Sequence, residues 1–279
     1  MRKRFAAWTL IIAFLGVIYA PVLFWLFRSW LNNPYYEHGF LIPIVSGFAA
    51  WRQRHVLKRA QQSSIGAVLF LAGLAVYIVS FAWEMRFPAA FSLLMVLAGL
   101  VIYFYGSRAG RSMAFPICLL LFAIPIPYLS DIGSHMQHIS SQGTAVVVQT
   151  IGITIERTGS EIRLADSAFI IGMPCAGMNT LISLMALAAV LAYFIEGPYH
   201  KKAILFAMSL PIAIMANIFR ISFLLLVANH WGAKAAEGVL HDLSSLLFFL
   251  LAFLCLLLLG RILGLGFGIN TRGKAPKIE

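Results

Sequence analysis

Long apolar runs, separated by short polar or basic segments, make up most of the chain. An apolar run of about 17–25 residues can cross a bilayer as a helix, and charged flanks identify shorter ones. The run at 38–52 is short and follows Pro34, so it fits a partly re-entrant helix as well as a full crossing. The pattern predicts an all-α polytopic membrane protein with eight helices, near residues 6–27, 38–52, 65–83, 88–106, 113–129, 172–195, 202–228 and 242–260.

One sizeable segment, at about 130–171, interrupts this pattern before the sixth predicted helix. It begins with a helix-like run and then alternates apolar and polar residues in GSEIRLADSAFII, as a strand pair or an amphipathic flap does. We expect an extracytoplasmic segment that either covers a site or lies on the bilayer as a surface hairpin. The rest of the chain is predicted to form a single membrane domain, 1–279, with a basic cytoplasmic tail at about 261–279.

The positions of Lys and Arg indicate the orientation, because these residues accumulate on the cytoplasmic side of membrane proteins. With the N terminus inside, fifteen of the 21 Lys and Arg residues lie on cytoplasmic segments, five lie outside, and Arg220 lies within a helix. Both termini are therefore predicted to be cytoplasmic. The composition, 61% hydrophobic and 11% charged, excludes an ordinary soluble domain. A net charge of +11 without a nucleic-acid motif points to the bilayer and not to nucleic acid as the partner.

Three residues with reactive or charged side chains are predicted to meet on the outer side of the membrane. Arg220 lies within the apolar run SLPIAIMANIFRISFLLLVAN, where a guanidinium keeps its charge at a high cost. Cys175 and His241 begin two other predicted helices at their outer ends. A thiol, an imidazole and a fixed cation are the components of an acyl-transfer enzyme. Taken alone, each residue also fits a structural role: packing for the cysteine, an ion pair for the arginine and an interfacial position for the histidine.

Neighbouring residues support this interpretation. Asn217 lies one turn before Arg220 on the same helix face, where it provides either a hydrogen-bond donor at the site or a contact between helices. Glu237, four residues before His241, is placed to orient the imidazole if the helix begins that early. Pro174 favours a helix start that would stabilise a Cys175 thiolate. We expect no metal and no cofactor, because the His-x-x-His pair at 135 and 138 has no evident third ligand.

At these residues the sequence resembles the exosortase/archaeosortase family of membrane cysteine transpeptidases. The family has a cysteine closely followed by a glycine, then an asparagine three residues before an arginine, then a histidine at the start of a later helix. Cys175 and Gly177, Asn217 and Arg220, and His241 match this pattern. The resemblance covers roughly residues 30–260 and includes an early motif in YYEHGFLIPIVSGFAAWRQR, with Tyr36, His38, Gly39, Trp51 and Arg52.

The resemblance implies an enzyme of the bacterial inner membrane that cleaves C-terminal sorting tails from exported proteins. Such a tail has a short motif, often Pro-Glu-Pro, followed by a transmembrane helix and a basic end. The implied roles are nucleophile for Cys175, oxyanion stabilisation or motif positioning for Arg220, and protonation of the leaving amine for His241. The thioacyl enzyme would pass to an amine, a hydroxyl or water. Ala176 departs from the serine that is common in bacterial members, which leaves the subfamily and its motif open.

Two other classes of protein compete with the transpeptidase. A transporter or channel would use Arg220 as an anion site, although the sequence shows no inverted repeat or pair of broken helices. A non-catalytic membrane assembly factor would need none of the three residues for chemistry. Replacing Cys175 by alanine separates the classes, because only the transpeptidase must then lose its function.

Overall fold

The structure is a computed structural model that describes residues 11, 13–58, 62–127, 129–164, 167–170, 177–236 and 238–266. Two of the predicted site residues, Cys175 and Glu237, lie outside the described residues, as do Pro174, Ala176 and most of the predicted cytoplasmic tail. The contacts group the chain into two compact units, the first ending at Pro127 and the second beginning at the next residue.

Helices form most of the described structure. The first unit contains α1 (Ala20–Asn32), α2 (Leu41–Arg52), α3 (Ser64–Ala82) and α4 (Arg86–Leu119), with 3₁₀ segments at Pro34–Phe40, Val56–Lys58 and Leu120–Ala123. The second unit contains α5 (Leu129–Thr150), β1 (Glu156–Thr158), β2 (Glu161–Leu164), β3 (Ser167–Ile170), α6 (Met178–Phe194), α7 (Tyr199–Trp231), α8 (Ala233–Ala236) and α9 (Val239–Ile262).

Several of these helices are long and apolar enough to cross a membrane. They are α3, the run Arg86–Ala123, α7 and α9, and the 17-residue α6 is a shorter apolar helix. Leu243, Leu246, Leu250 and Leu254 of α9 are exposed, which is the arrangement expected of a helix that faces lipid. The structure therefore supports the predicted all-α, multi-pass membrane protein. The number of eight crossings and the single-domain organisation remain predictions.

The predicted helices at 88–106 and 113–129 fall largely within one helical element, α4, that bends at Gly106. This residue has φ 81° and ψ 171°, outside the helical region. A Cβ atom at Gly110 would collide with the side chain of Ile102, eight residues earlier. In a straight helix residues eight apart are separated by about 12 Å, so the chain must turn sharply between them. In place of the loop expected between the two apolar runs, the chain makes a sharp bend at Gly106.

The core of the first unit joins α1 to α4. Tyr19 is fully buried, and its hydroxyl lies 2.9 Å from Oγ of Ser92, which in turn donates a hydrogen bond to the carbonyl of Ala89. Buried apolar side chains from α1, α3 and α4 surround this pair. A hydrogen-bonded polar pair in an apolar core fixes how the helices pack, because an unsatisfied hydroxyl there would be costly.

The segment at 130–171 has the predicted order of structure, a helix followed by strands. Strands β1, β2 and β3 form an antiparallel sheet in that order, with Arg157 opposite Ile162 and Ile162 opposite Phe169. The guanidinium of Arg157 donates to the carbonyl of Gly159 at 2.6 Å and to Oγ of Ser141 at 3.2 Å, which joins the β1–β2 hairpin to α5. The sheet has three strands where the alternation predicted a pair.

Helix α5 and the sheet pack on α7. The buried apolar cluster of this region contains Ala145 and Val148 from α5, Ile155 and Ile162 from the hairpin, and Ile221 and Leu225 from α7. The segment predicted as extracytoplasmic is therefore part of the packed second unit, beside the helix that carries Arg220.

Candidate active site

Helix α7 carries a buried amide and a buried guanidinium one turn apart. Asn217 is 2% exposed and Arg220 is 6% exposed, in a helix that is otherwise largely apolar. The i,i+3 spacing places both residues on one face, as predicted. A buried guanidinium keeps its positive charge, so this face of α7 is a fixed cationic site within the second unit.

Arg220 contacts His241, so two of the three residues predicted to act together lie side by side. Nη2 of Arg220 lies 3.0 Å from Nε2 of His241. A guanidinium has only donors, so Nε2 accepts this hydrogen bond and carries no proton. In a neutral His241 this contact leaves the ring proton to Nδ1.

The start of α9 fixes the backbone of His241. The helix begins at Val239 after Gly238, whose φ of 73° and ψ of −130° place it outside the helical region. The hydroxyls of Ser244 and Ser245 both donate to the carbonyl of His241, at 2.8 and 2.9 Å. His241 thus lies in the first turn, close to the predicted start.

A carboxylate adjoins the other nitrogen of the ring. Oδ1 of Asp242 lies 3.2 Å from Nδ1 of His241. The sequence analysis proposed Glu237 as the residue that orients the imidazole and missed Asp242, although Asp242 directly follows His241 in the sequence. Glu237 lies outside the described residues, and the helix on which its i,i+4 spacing depended begins only at Val239.

Gly177 brings the start of α6 against α7. It precedes the first helical residue, Met178, and has φ 80°, a left-handed conformation that favours glycine. A Cβ atom at this position would lie 2.6 Å from Cγ of Asn217. The described helix begins at Met178, three residues after Cys175 in the sequence, and the predicted helix start at Pro174 lies outside the described residues.

Helix α5 also contacts Asn217, which the sequence did not predict. Nδ2 of Asn217 donates to Oγ of Ser140 at 2.9 Å, and both side chains are buried. The next turn of α5 also approaches α7, since a Cβ at Gly143 would collide with Ile218. The polar, small-residue sequence SSQG in α5 was the available signal for this contact.

The early motif residue His38 lies in the first unit and supports local backbone. Its Nε2 is 3.2 Å from the carbonyl of Phe122, and the hydroxyl of Tyr36 accepts a hydrogen bond from the backbone N–H of Ile126 at 2.9 Å. Burial raises the pKa of the Tyr36 hydroxyl above its usual value. These contacts join the 3₁₀ segment Pro34–Phe40 to the residues that follow α4, and the role of His38 at a site stays a prediction.

No group of three or more His, Cys, Asp or Glu side chains among the described residues is placed to hold a metal ion. Nδ1 of His135 donates to the carbonyl of Asp131 at 2.8 Å, and Nε2 of His138 lies 3.0 Å from Nε2 of Gln142. These two histidines of α5 therefore contact their own helix.

A comparison with protein families found a match to the model described as transmembrane exosortase, over residues 30–258. The matched range includes His38 and every residue of the candidate site. Searches of curated proteins and of solved structures found no match.

Proposed function

Because the chain belongs to the transmembrane exosortase family, we propose that it is a membrane-embedded cysteine endopeptidase and transpeptidase that cleaves C-terminal sorting tails of the PEP-CTERM kind. Family membership supports a membrane enzyme of the protease or transpeptidase class. The tail, the thioacyl intermediate and the individual roles of Cys175, Arg220 and His241 are our proposal.

The contact between Arg220 and His241 is the observation that carries this proposal. It joins a fixed cation to a neutral imidazole, and Gly177 lies against Asn217, one turn from Arg220. Cys175 precedes Gly177 by two residues. Successive Cα atoms are 3.8 Å apart, so the Cα atoms of residues two positions apart in the sequence, such as Cys175 and Gly177, are separated by at most about 7.6 Å. Chain connectivity therefore supports a thiol near the Arg220–His241 pair.

The proposed acylation step begins with His241 as a base. Nε2 accepts the proton of the Cys175 thiol as sulfur bonds to the scissile carbonyl carbon, whose oxygen becomes an oxyanion. The resulting imidazolium can no longer accept a hydrogen bond from Arg220. The released guanidinium then donates to the oxyanion. His241 returns its proton to the amine as the C–N bond breaks, which leaves a thioester on Cys175.

Deacylation repeats the same proton transfers with a new nucleophile. His241 accepts a proton from an amine, a hydroxyl or water as that group attacks the thioester carbonyl. Arg220 again stabilises the oxyanion, and the Cys175 sulfur leaves and regains a proton from His241. The same residues thus support transfer and hydrolysis.

The expected partner is an exported protein whose tail has a sorting motif, a transmembrane helix and a basic end. Arg220 lies eleven residues before the end of α7 at Trp231, or roughly 16 Å along the helix, and His241 lies in the first turn of α9. Both side chains are therefore nearer the ends of α7 and α9 that α8 connects. The charge distribution supports placing this side at the exterior of the inner membrane, with both termini cytoplasmic.

Co-expression with a tail-bearing exported protein tests the proposed function. The wild-type enzyme should remove the tail, and Cys175→Ala should leave the substrate uncleaved. Cys118→Ala and Cys255→Ala are matched controls, because these cysteines lie elsewhere in apolar helices and should be dispensable. Full processing by Cys175→Ala would overturn the proposal, because the tail would then be removed without this thiol. A transporter, channel or assembly factor would leave the tail uncleaved even in the wild type.

A further inference from the structure

We propose that Asp242 is a positioning residue that holds His241 in the Nδ1–H tautomer, so that Nε2 is the nitrogen that exchanges protons during catalysis. The assignment extends the proposed function, on which its catalytic part rests. The tautomer itself follows from contacts on opposite sides of one ring.

The two contacts of the ring require the same tautomer. Arg220, 3.0 Å from Nε2, has only N–H donors, so Nε2 must be the acceptor. Asp242, 3.2 Å from Nδ1, is an acceptor when ionised, so Nδ1 must be the donor. Which ring nitrogen of a neutral histidine carries the proton is set by the hydrogen bond that the other nitrogen makes. The pair Arg220 and Asp242 thus selects one of the two neutral forms of His241.

This arrangement matters for both proton transfers. If the proton moved to Nε2, this nitrogen would be a donor facing the guanidinium of Arg220, which also only donates. Nε2 could then no longer accept the proton of the thiol. With the proton held at Nδ1, Nε2 carries no proton and lies beside the guanidinium of Arg220. When Nε2 takes up a proton, the carboxylate of Asp242 remains bonded to Nδ1 and stabilises the imidazolium.

The exposure of Asp242 sets the size of the expected effect. Its side chain is 87% exposed and that of His241 is 36% exposed, so water weakens the interaction. In serine proteases, where the corresponding aspartate is buried, changing it to asparagine costs about ten-thousandfold because the histidine adopts the wrong tautomer. For the exposed Asp242 we expect a loss of about tenfold in kcat, with KM nearly unchanged.

A purely structural role for Asp242 predicts a different result. A carboxylate in the first turn of a helix stabilises the N-terminal end of the helix dipole. Asp131 occupies the same kind of position in α5, so Asp131→Asn removes the same type of charge without a role at His241. A role confined to the helix dipole would lower the thermal stability of both variants alike and leave the tautomer of His241 unaffected.

The tautomer can be measured by NMR on the full-length enzyme in detergent, labelled with ¹⁵N-histidine. The protein has seven histidines, and the signals of His241 are assigned as those missing from His241→Gln. We expect a protonated Nδ1 and an unprotonated Nε2 in the wild type and in Asp131→Asn. In Asp242→Asn the contact with Arg220 alone still favours the Nδ1–H form, so we expect a minor but measurable Nε2–H fraction, together with the tenfold lower kcat for tail cleavage.

Each departure from this pattern overturns the inference. A wild-type His241 with its proton on Nε2 would do so without any variant. In Asp242→Asn, kcat and the tautomer should change together. The inference is also overturned if only one of the two changes, or if neither does. If the wild-type enzyme cleaves no tail while its tautomers behave as expected, the proposed function fails and the tautomer assignment stands.

Discussion

The backbone of Gly177 lies directly against the side chain of Asn217, so that a Cβ atom on Gly177 would come within 2.6 Å of Cγ of Asn217. This contact places Gly177, the residue before α6, against the face of α7 that carries Arg220. It requires the absence of a side chain and also a left-handed backbone, with φ 80°.

Replacing Gly177 by alanine should therefore impair both stability and cleavage. The left-handed conformation costs about 1–2 kcal/mol with a Cβ present, and the collision adds about 1–3 kcal/mol. Gly152→Ala is the matched control, because Gly152 also has a positive φ, 92°, but has open space around its Cβ position. Thermal unfolding and tail cleavage should both distinguish the variants. Equal behaviour of the two would show that the contact with Asn217 is unimportant.

Arg220→Lys should lose at least about a hundredfold in kcat, the range found when an oxyanion donor is removed. Lysine keeps the charge but lacks the planar set of donors that serves both His241 and the oxyanion. Arg157→Lys is the control, because Arg157 makes its hydrogen bonds at the hairpin and should tolerate the change with little loss of activity. Near-normal kcat in Arg220→Lys would reduce the role of Arg220 to a simple charge.

His241→Ala should respond differently to an activated substrate. A thioester has a good leaving group and does not need protonation, and a pH above the usual thiol pKa of about 8.5 ionises cysteine without a base. These conditions should partly restore acylation in His241→Ala but not in Arg220→Lys, because an oxyanion forms with either substrate. Single-turnover acylation rates provide the measurement. Equal rescue of both variants, or of neither, would contradict this division of roles.

Sequence patterns predicted the helices better than their ends and neighbours. The apolar runs located α7 and α9, and the i,i+3 spacing correctly placed Asn217 and Arg220 on one face. The close approach of Gly177 to Asn217 was not predicted, because a contact between two helices carries no signal in the local sequence of either. Ser140 was missed for a related reason. Which helix lies beside α7 is decided by tertiary packing and not by spacing within either helix.

The hydrogen bond between Asn217 and Ser140 should appear as an energetic coupling. Both groups are buried, so either single alanine variant leaves a polar group without its present partner, while the double variant removes both. We expect a coupling of about 0.5–1.5 kcal/mol in the free energy of unfolding. Asn217→Ala combined with Ser222→Ala is the control, because Ser222 bonds within α7 to the carbonyl of Ile218. Additive effects for Asn217 and Ser140 would exclude a stabilising hydrogen bond.

Cysteine labelling in intact cells should test the predicted orientation. In a protein without its native cysteines, Arg54→Cys and His200→Cys should react with an impermeant reagent only after permeabilisation. Thr158→Cys on the exposed hairpin should react in intact cells. All three positions are exposed in the structure, so differences report the side of the membrane. Labelling of residue 54 in intact cells would contradict the eight-helix topology.

The proposed nucleophile is tested most directly by the mass of the peptide that contains Cys175 after the enzyme meets a tail substrate in the absence of a good acceptor. We expect this peptide to gain the mass of the acyl fragment upstream of the cleaved bond. The peptides that contain Cys118 and Cys255 should remain unmodified, and hydroxylamine should release the adduct as a thioester. Cleavage of the tail with no acyl mass on Cys175 under any quench condition, or full cleavage by Cys175→Ala, would contradict a thioacyl enzyme at this residue.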